Sequence, residues 1–294
     1  MNKLIAKATT LLEALPYIQR FRGETFVTKY GGSFMDSNDP TIRSSVARDI
    51  VFLEAVGINP VVVHGGGKAI TQALVDSGIS SQFEQGYRIT TPESVKVVEQ
   101  VLSHKVNSDI VEMINQNGGK AHGFSGTEIF RCKPFKPISS TGNEIDIGLV
   151  GEVTEVNLEP LKKCIEQDIT PVISPTAIGE DGEIYNCNAD VAAGQTAVAL
   201  RPKRLVYMSD VPGLLKNPDD PKSVISHLPA DEIEALKNSG IISKGMIPKA
   251  DSAVQAVAAG VEKVFFIDGR MNHSLLLEIF TDAGVGTEIV NNEQ

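Results

Sequence analysis

Apolar positions along the chain follow two different periods. Leu4, Ala8, Leu11, Leu15 and Ile18 are spaced by alternating steps of four and three, one stripe along a helix over residues 4–20. Pro16 inside that stripe predicts a kink or the end of a first helical segment. The pattern then shortens to β-branched runs. A strand over residues 25–29 and a second at Val61-Val62-Val63 are separated by a helical stretch over 42–54. The second run breaks into His64-Gly65-Gly66-Gly67-Lys68 and resumes helical spacing at Ile70 and Leu74, which reads as strand, tight loop, helix.

The alternation continues. Helices are predicted over 93–104 and 107–117, the latter ended by Gly118-Gly119, and a strand over 121–124. Residues 126–151 are strand-like with turns at Pro134, Pro137 and Thr141-Gly142, and read as β-hairpins on one edge of a sheet. A helix over 158–167 leads to a strand over 170–174 and a hairpin turn at 179–182. Ala192, Ala193, Gly194, Ala197 and Ala199 form a small-residue helix able to pack closely. Arg201-Pro202-Lys203-Arg204 breaks the rhythm before a new unit, with strands over 205–208, 263–267 and 287–290 and helices over 251–259 and 274–280. This βα order predicts an α/β fold divided into an N-terminal helix (1–23), an N-lobe (24–200) and a C-lobe (201–294).

Two strand ends carry candidate chemistry. Lys29-Tyr30-Gly31-Gly32 and His64-Gly65-Gly66-Gly67 both let backbone approach a ligand closely, and a helix N-terminus favours an anion. Two such ends in one sheet can face each other across a crevice. Neither fits the common fingerprints: Ala69 follows Gly67-Lys68 where a P-loop needs Ser or Thr, and Ile70 replaces the third glycine of the dinucleotide pattern. Arg88 is placed to clamp a carboxylate bidentately.

Composition narrows the partners. A formal net charge of -10 argues against nucleic acid, and 41% hydrophobic residues support a large core. Cys132, Cys164 and Cys187 show no C-x-x-C spacing and predict neither a zinc site nor a disulfide framework. Thr9, Thr10 and Glu13 interrupt any signal-peptide core and no stretch is long enough to span a bilayer, so a cytoplasmic chain without membrane contact is expected.

Lys29-Tyr30-Gly31-Gly32, Val63-His64-Gly65-Gly66-Gly67, Gly86-Tyr87-Arg88-Ile89-Thr90, Asn186-Cys187-Asn188-Ala189-Asp190, Ser209-Asp210-Val211-Pro212-Gly213 and Gly245-Met246-Ile247-Pro248-Lys249, in this order, resemble the amino acid kinase family. The resemblance runs from Leu12 to the C-terminus and is nearest to the branch that phosphorylates N-acetylglutamate with ATP. It implies an open, mainly parallel three-layer αβα sandwich with an N-terminal helical extension. It also implies Lys29 and Lys249 as the catalytic lysines, Asp190 holding both, and Gly65, Gly66, Arg88 and Asn186 as substrate-binding residues. Gly31, Gly32, Ser209, Asp210, Gly213, Leu214, Gly245 and Met246 would contact the nucleotide, with Mg2+ carried on its phosphates and no metal held by the protein itself. Lys68 after the glycines and Lys244 before Gly245 depart from the usual pattern and add positive charge.

The chemistry implied is self-consistent. A carboxylate nucleophile with a pKa of about 4.3 is ionised at neutral pH and needs no general base. His64 is accordingly expected to be a structural hydrogen-bonder. Another acid as substrate, or a non-catalytic sensor of the same fold, are the competing readings; Lys29, Asp190 and Lys249 together speak against the sensor. The segment 12–18 further resembles the N-terminal extension of the arginine-inhibited branch. That implies a homo-oligomer, a hexamer built as a trimer of dimers, and an arginine site using Tyr17, His273, Glu278 and Gly286.

Overall fold

The structure is a computed structural model that describes residues 2–31, 40–139, 141–217, 219–243 and 245–292. Gly32 and Lys244 lie outside the described residues. Helix α1 (Asn2–Phe21) leads into strand β1 (Thr25–Tyr30), followed by α2 (Pro40–Ala55), β2 (Asn59–His64), α3 (Gly67–Asp76) and the two-residue strands β3 (Phe83–Glu84) and β4 (Tyr87–Arg88). Next come α4 (Pro92–Glu99), a π-helical segment (Gln100–Val106), α5 (Asn107–Gln116), β5 (Ala121–Phe124), α6 (Gly126–Ile129), β6 (Phe130–Pro134), β7 (Val150–Val156), α7 (Leu158–Glu166), β8 (Thr170–Ile173), β9 (Thr176–Gly179) and β10 (Ile184–Cys187). The remainder is α8 (Ala189–Leu200), β11 (Arg204–Ser209), β12 (His227–Pro229), α9 (Ile233–Asn238), α10 (Met246–Ala258), β13 (Lys263–Asp268), α11 (Ser274–Ile279) and β14 (Thr287–Val290).

Eight strands form one sheet in the order β12-β14-β13-β11-β1-β2-β8-β5, and every pairing is parallel except β13 with β14. Strand alternation divides the core between its two faces. Val27, Val61, Val63, Leu205, Tyr207 and Phe266 face α7, α8 and α10, whereas Phe26, Val62, Val206, Met208 and Phe265 face α2, α5 and α11. The result is the three-layer α/β sandwich expected. The chain leaves β1 toward β2 and later returns on its other side as β11, so the order reverses beside β1. A crevice outside the strand C-termini is the usual ligand position at such a switch point.

Two expectations are corrected, and a third is narrowed, since of the kink or end expected at Pro16 the end does not occur. Helix α1 runs through Pro16 without ending. Proline there removes one N–H bond to the carbonyl of Leu12, and Leu12 is 66% exposed, so water can satisfy that oxygen. Residues 126–151 do not lie as hairpins along the sheet edge: β6, β7, β9 and β10 close into a separate four-stranded barrel. The period-2 pattern could not show this, because closure depends on which strands meet at long range. The apolar stripe of α1 is also divided. Phe21 is buried in the core and Tyr17 packs beside it, edge-on to Phe280, while Ile5, Leu11, Leu12 and Leu15 stay exposed.

Candidate functional site

The two glycine loops meet. Gly65 N–H donates to the Tyr30 carbonyl at 2.8 Å, and a Cβ on Gly65 would stand 3.6 Å from the Gly31 Cα. The side chain of Lys29, one residue from the end of β1, turns back over Gly31 so closely that a Cβ there would lie 2.6 Å from its Cε. The missing side chain at Gly31 leaves the room that this contact uses.

Lys29 points to the α8 side of the sheet, where Asp190 occupies the second position of that helix. The N-cap is Asn188, whose Oδ1 accepts from the amides of Asp190 (2.8 Å) and Val191 (3.3 Å). Asn188 therefore does the capping and leaves the Asp190 carboxylate free for another task. Its Oδ1 lies 3.0 Å from Lys29 Nζ and its Oδ2 2.8 Å from Lys249 Nζ, with all three side chains largely buried. Burial alone would raise the pKa of Asp190, but Lys29 and then Lys249 outweigh it and hold the carboxyl below its ordinary value. Lys249 stands in the first helical turns of α10. Pro248 is tolerated just before it because the first amides of a helix have no internal partner. One carboxylate between two ammonium groups leaves a net positive site.

Arg88 supplies a further cation and is only 7% exposed. Its guanidinium donates to the Gly67 carbonyl (2.9 Å), Thr71 Oγ1 (2.9 Å) and Ser81 Oγ, and lies over the Phe83 ring. Among the described residues no carboxylate pairs with it. A desolvated guanidinium held against the start of α3 by neutral groups is suited to an anionic ligand. Asn186, at the barrel end before α8, donates to Thr90 Oγ1 at 3.3 Å, which ties it to the Arg88 segment.

His64 is fully buried. Nδ1–H donates to the Gly65 carbonyl (2.8 Å) and Nε2 accepts from the Asn107 side-chain amide (3.1 Å), and burial pushes its pKa down to about 4. The ring is neutral and structural. Asn107 also donates to the Val172 carbonyl, so it fastens the end of β2 to β8.

The loop after β11 is held in place but offers few free side chains. Ser209 is buried and its carbonyl accepts from Gly269 N (2.8 Å). Asp210 is exposed. Gly213 has φ +147, and a Cβ there would lie 2.6 Å from Thr287 Oγ1, which also accepts from Leu214 N (2.8 Å). The Leu214 side chain is part of the core, so that residue presents backbone only. Gly245 caps α10 and Met246 is half-buried against the core, one turn before Lys249.

Tyr17, Glu278 and Gly286 line one cavity of about 320 Å³ between α1 and the C-terminal strands, together with Arg20, Arg204 and Asp282. Glu278 is buried rather than on a solvated face and accepts from the amides of Val285 (2.6 Å) and Gly286 (3.0 Å). His273 does not line this cavity. It is held by Asp49 of α2 at 2.6 Å, and burial raises the Asp49 pKa to about 6.

Sequence reasoning placed Lys29, Asp190 and Lys249 but missed Asn188 as the cap. An Asn two residues before an Asp at the start of a small-residue helix was an available signal. Asn107 left none, since its partners are distant in the chain.

The amino acid kinase family matches residues 24–268 of the chain. The acetylglutamate kinase of Akkermansia muciniphila is 46% identical over 296 residues, covering 100% of this chain and 99% of that protein. The acetylglutamate kinase of Carboxydothermus hydrogenoformans is 47% identical over 292 residues, with 98% and 99% covered. Among solved structures, N-acetylglutamate synthase from Neisseria gonorrhoeae complexed with coenzyme A and N-acetyl-glutamate is similar at a TM-score of 0.82 and 25% identity. The match covers 97% of this chain and 63% of the synthase. With most of its length inside the family match and full-length relatives near half identical, the chain belongs to the amino acid kinase family.

Proposed function

We propose that this chain transfers the γ-phosphoryl group of ATP to the side-chain carboxylate of N-acetylglutamate, the acylated-glutamate kinase step of arginine biosynthesis. The observation that carries the reading is the carboxylate of Asp190 bridging Lys29 and Lys249 beside the paired Gly31 and Gly65 loops. Full-length relatives with that activity in their names support it.

The acceptor carboxylate attacks as an anion, so no residue has to remove a proton; neutral, buried His64 is consistent with that. The work left to the protein is alignment and charge neutralisation. Lys29 and Lys249 meet the equatorial oxygens of the phosphoryl group in flight, and Asp190 fixes both ammonium groups so that they need not reorganise during the step. Mg2+ arrives on the nucleotide phosphates. Arg88, which pairs with no carboxylate among the described residues, takes the α-carboxylate of the acceptor, and Gly65, Gly66 and Asn186 border the acyl group. Residues 24–200 form the acceptor lobe and residues 201–294 the nucleotide lobe, where Ser209, Asp210, Gly213, Leu214, Gly245 and Met246 border ATP.

Regulation by arginine and assembly into a hexamer belong to the same proposal, as does a cytoplasmic location. The cavity lined by Tyr17, Glu278 and Gly286 carries acidic groups for a guanidinium, and beside them Arg20 and Arg204, both paired to Glu262 (2.9 and 3.0 Å). The exposed Leu11, Leu12 and Leu15 offer an apolar face to a second copy. No helix among the described residues is long and apolar enough to cross a membrane.

Incubation with ATP, Mg2+ and hydroxylamine tests the reaction class, because hydroxylamine converts an acyl phosphate to a hydroxamate. Hydroxamate from N-acetylglutamate is expected; ADP release without it would reject transfer to carboxylate.

A further inference from the structure

Tyr207, in β11, is fully buried on the α8 side of the sheet. Its hydroxyl donates to the main-chain carbonyl of Asp190 at 3.2 Å. Ser252, one turn beyond Lys249 on α10, packs at the same point of α8, against Gly194. Gly194 is what gives these groups room. A Cβ at that position of α8 would lie 2.6 Å from Ser252 Cβ and 3.1 Å from Tyr207 Oη. A phenol, a hydroxyl and a missing side chain thus join three elements: β11, α8 with Asp190, and α10 with Lys249.

The Asp190–Lys249 contact spans α8 and α10, and its length is set by how those two helices sit against each other. Two flexible side chains do not define that by themselves. We propose that Tyr207, packed with Ser252 around Gly194, is a positioning residue of the phosphoryl-transfer site: it fixes α8 against α10 so that Asp190 presents Lys249 to the transferring group. This rests on the function proposed above.

Removing the Tyr207 hydroxyl does not orphan its partner badly. Asp190 O keeps its place in the α8 backbone ladder. Tyr207→Phe therefore folds, and its effect is one of alignment. The expected result is a kcat about 10-fold lower with KM for both substrates within about 2-fold of wild type, because the substrate-binding groups are not displaced. Ser252→Ala changes kcat in the same direction, and the double variant is no worse than Tyr207→Phe alone, as two members of one contact require.

A role in packing alone is separated by repeating Tyr207→Phe in a Lys249→Ala background. If Tyr207 acts through Lys249, the second change costs nothing further there. Unchanged kcat in Tyr207→Phe, or a full multiplicative loss in the Lys249→Ala background, overturns the proposal. Every assay is read against wild-type hydroxamate formation from N-acetylglutamate. Wild type forming none would reject the function itself, and this inference with it, whereas active wild type with an equally active Tyr207→Phe rejects this inference alone.

Discussion

At the scale of residues, the site is a charge arrangement with one anion between two cations and a third cation, Arg88, that pairs with no anion among the described residues. On the proposed mechanism Lys29→Ala and Lys249→Ala each remove a preorganised charge aimed at the transition state, and each is expected to lower kcat by about 10²-fold or more. Arg88→Ala is expected to act chiefly on KM for the acid, because its partners are Gly67, Thr71 and Ser81 and none touches the lysine pair. Steady-state kinetics check both; near-normal kcat in Lys249→Ala contradicts the assignment. His64 gives a prediction of another kind. Its folded pKa, about 4, lies below the unfolded value near 6.5, so the unfolded chain binds the proton first and stability falls as pH drops through that window. Asp49, raised to about 6, acts with the opposite sign over the same range, so the raw curve of the wild type is not diagnostic. The comparison with His64→Gln is. Between pH 7 and 4.5 the variant is expected to lose about 2 to 3 kcal/mol less stability than the wild type, at 1.36 kcal/mol per pKa unit. Equal losses by denaturant titration would show that His64 does not remain neutral in the folded state. The meeting of Lys29, Asp190 and Lys249 was legible because each stands in a short motif at a strand or helix end. Tyr207 was not, because nothing in Leu205-Val206-Tyr207-Met208 distinguishes a core ring from a brace; only the packing of Gly194 and Ser252 around its hydroxyl does.

Elements show where periodicity suffices and where it fails. Seven of the eight strands of the main sheet were readable as apolar runs because both their faces are buried, whereas the three-residue edge strand β12 was not read. The region of β6 was readable as strand-like and the turn between β9 and β10 as a hairpin turn, but the barrel was not, since the meeting of Arg131 with Ile178 and of Asn186 with Val150 is a long-range event. Helix α1 combines two roles that a single stripe concealed. Its last turn is part of this chain's core, with Phe21 edge-on to Phe26 and under the Arg204 guanidinium, whereas Leu11 and Leu12 face outward. Deleting residues 1–14 is therefore expected to leave thermal stability nearly unchanged while the protein sediments as a smaller assembly. Deletion through residue 22 also removes the Phe21 ring and is expected to cost about 3 to 5 kcal/mol, the range for emptying a buried aromatic site. Sedimentation and thermal melts of the two truncations check this. An unchanged assembly after the shorter deletion would contradict the role given to the exposed face.

For the molecule as a whole, the reversal of strand order at β1 decides where chemistry can occur. It sets the ends of β1, β2 and β11 side by side, so that Lys29 and the Gly31 and Gly65 loops come from one side of the crevice and Lys249 reaches it from α10 on the other. Asp190 spans the two. The same layout makes the acetyl group of the acceptor a discriminating feature, because free glutamate would bring an ammonium group into a site that already carries Lys29, Lys249 and Arg88. Burying that extra cation without a partner is costly. The most direct test is kcat/KM for hydroxamate formation with N-acetylglutamate and with glutamate, measured on the same preparation with saturating ATP and Mg2+. A preference for N-acetylglutamate of about 10³-fold or more, equivalent to roughly 4 kcal/mol, is predicted; equal values for the two acids would contradict the account.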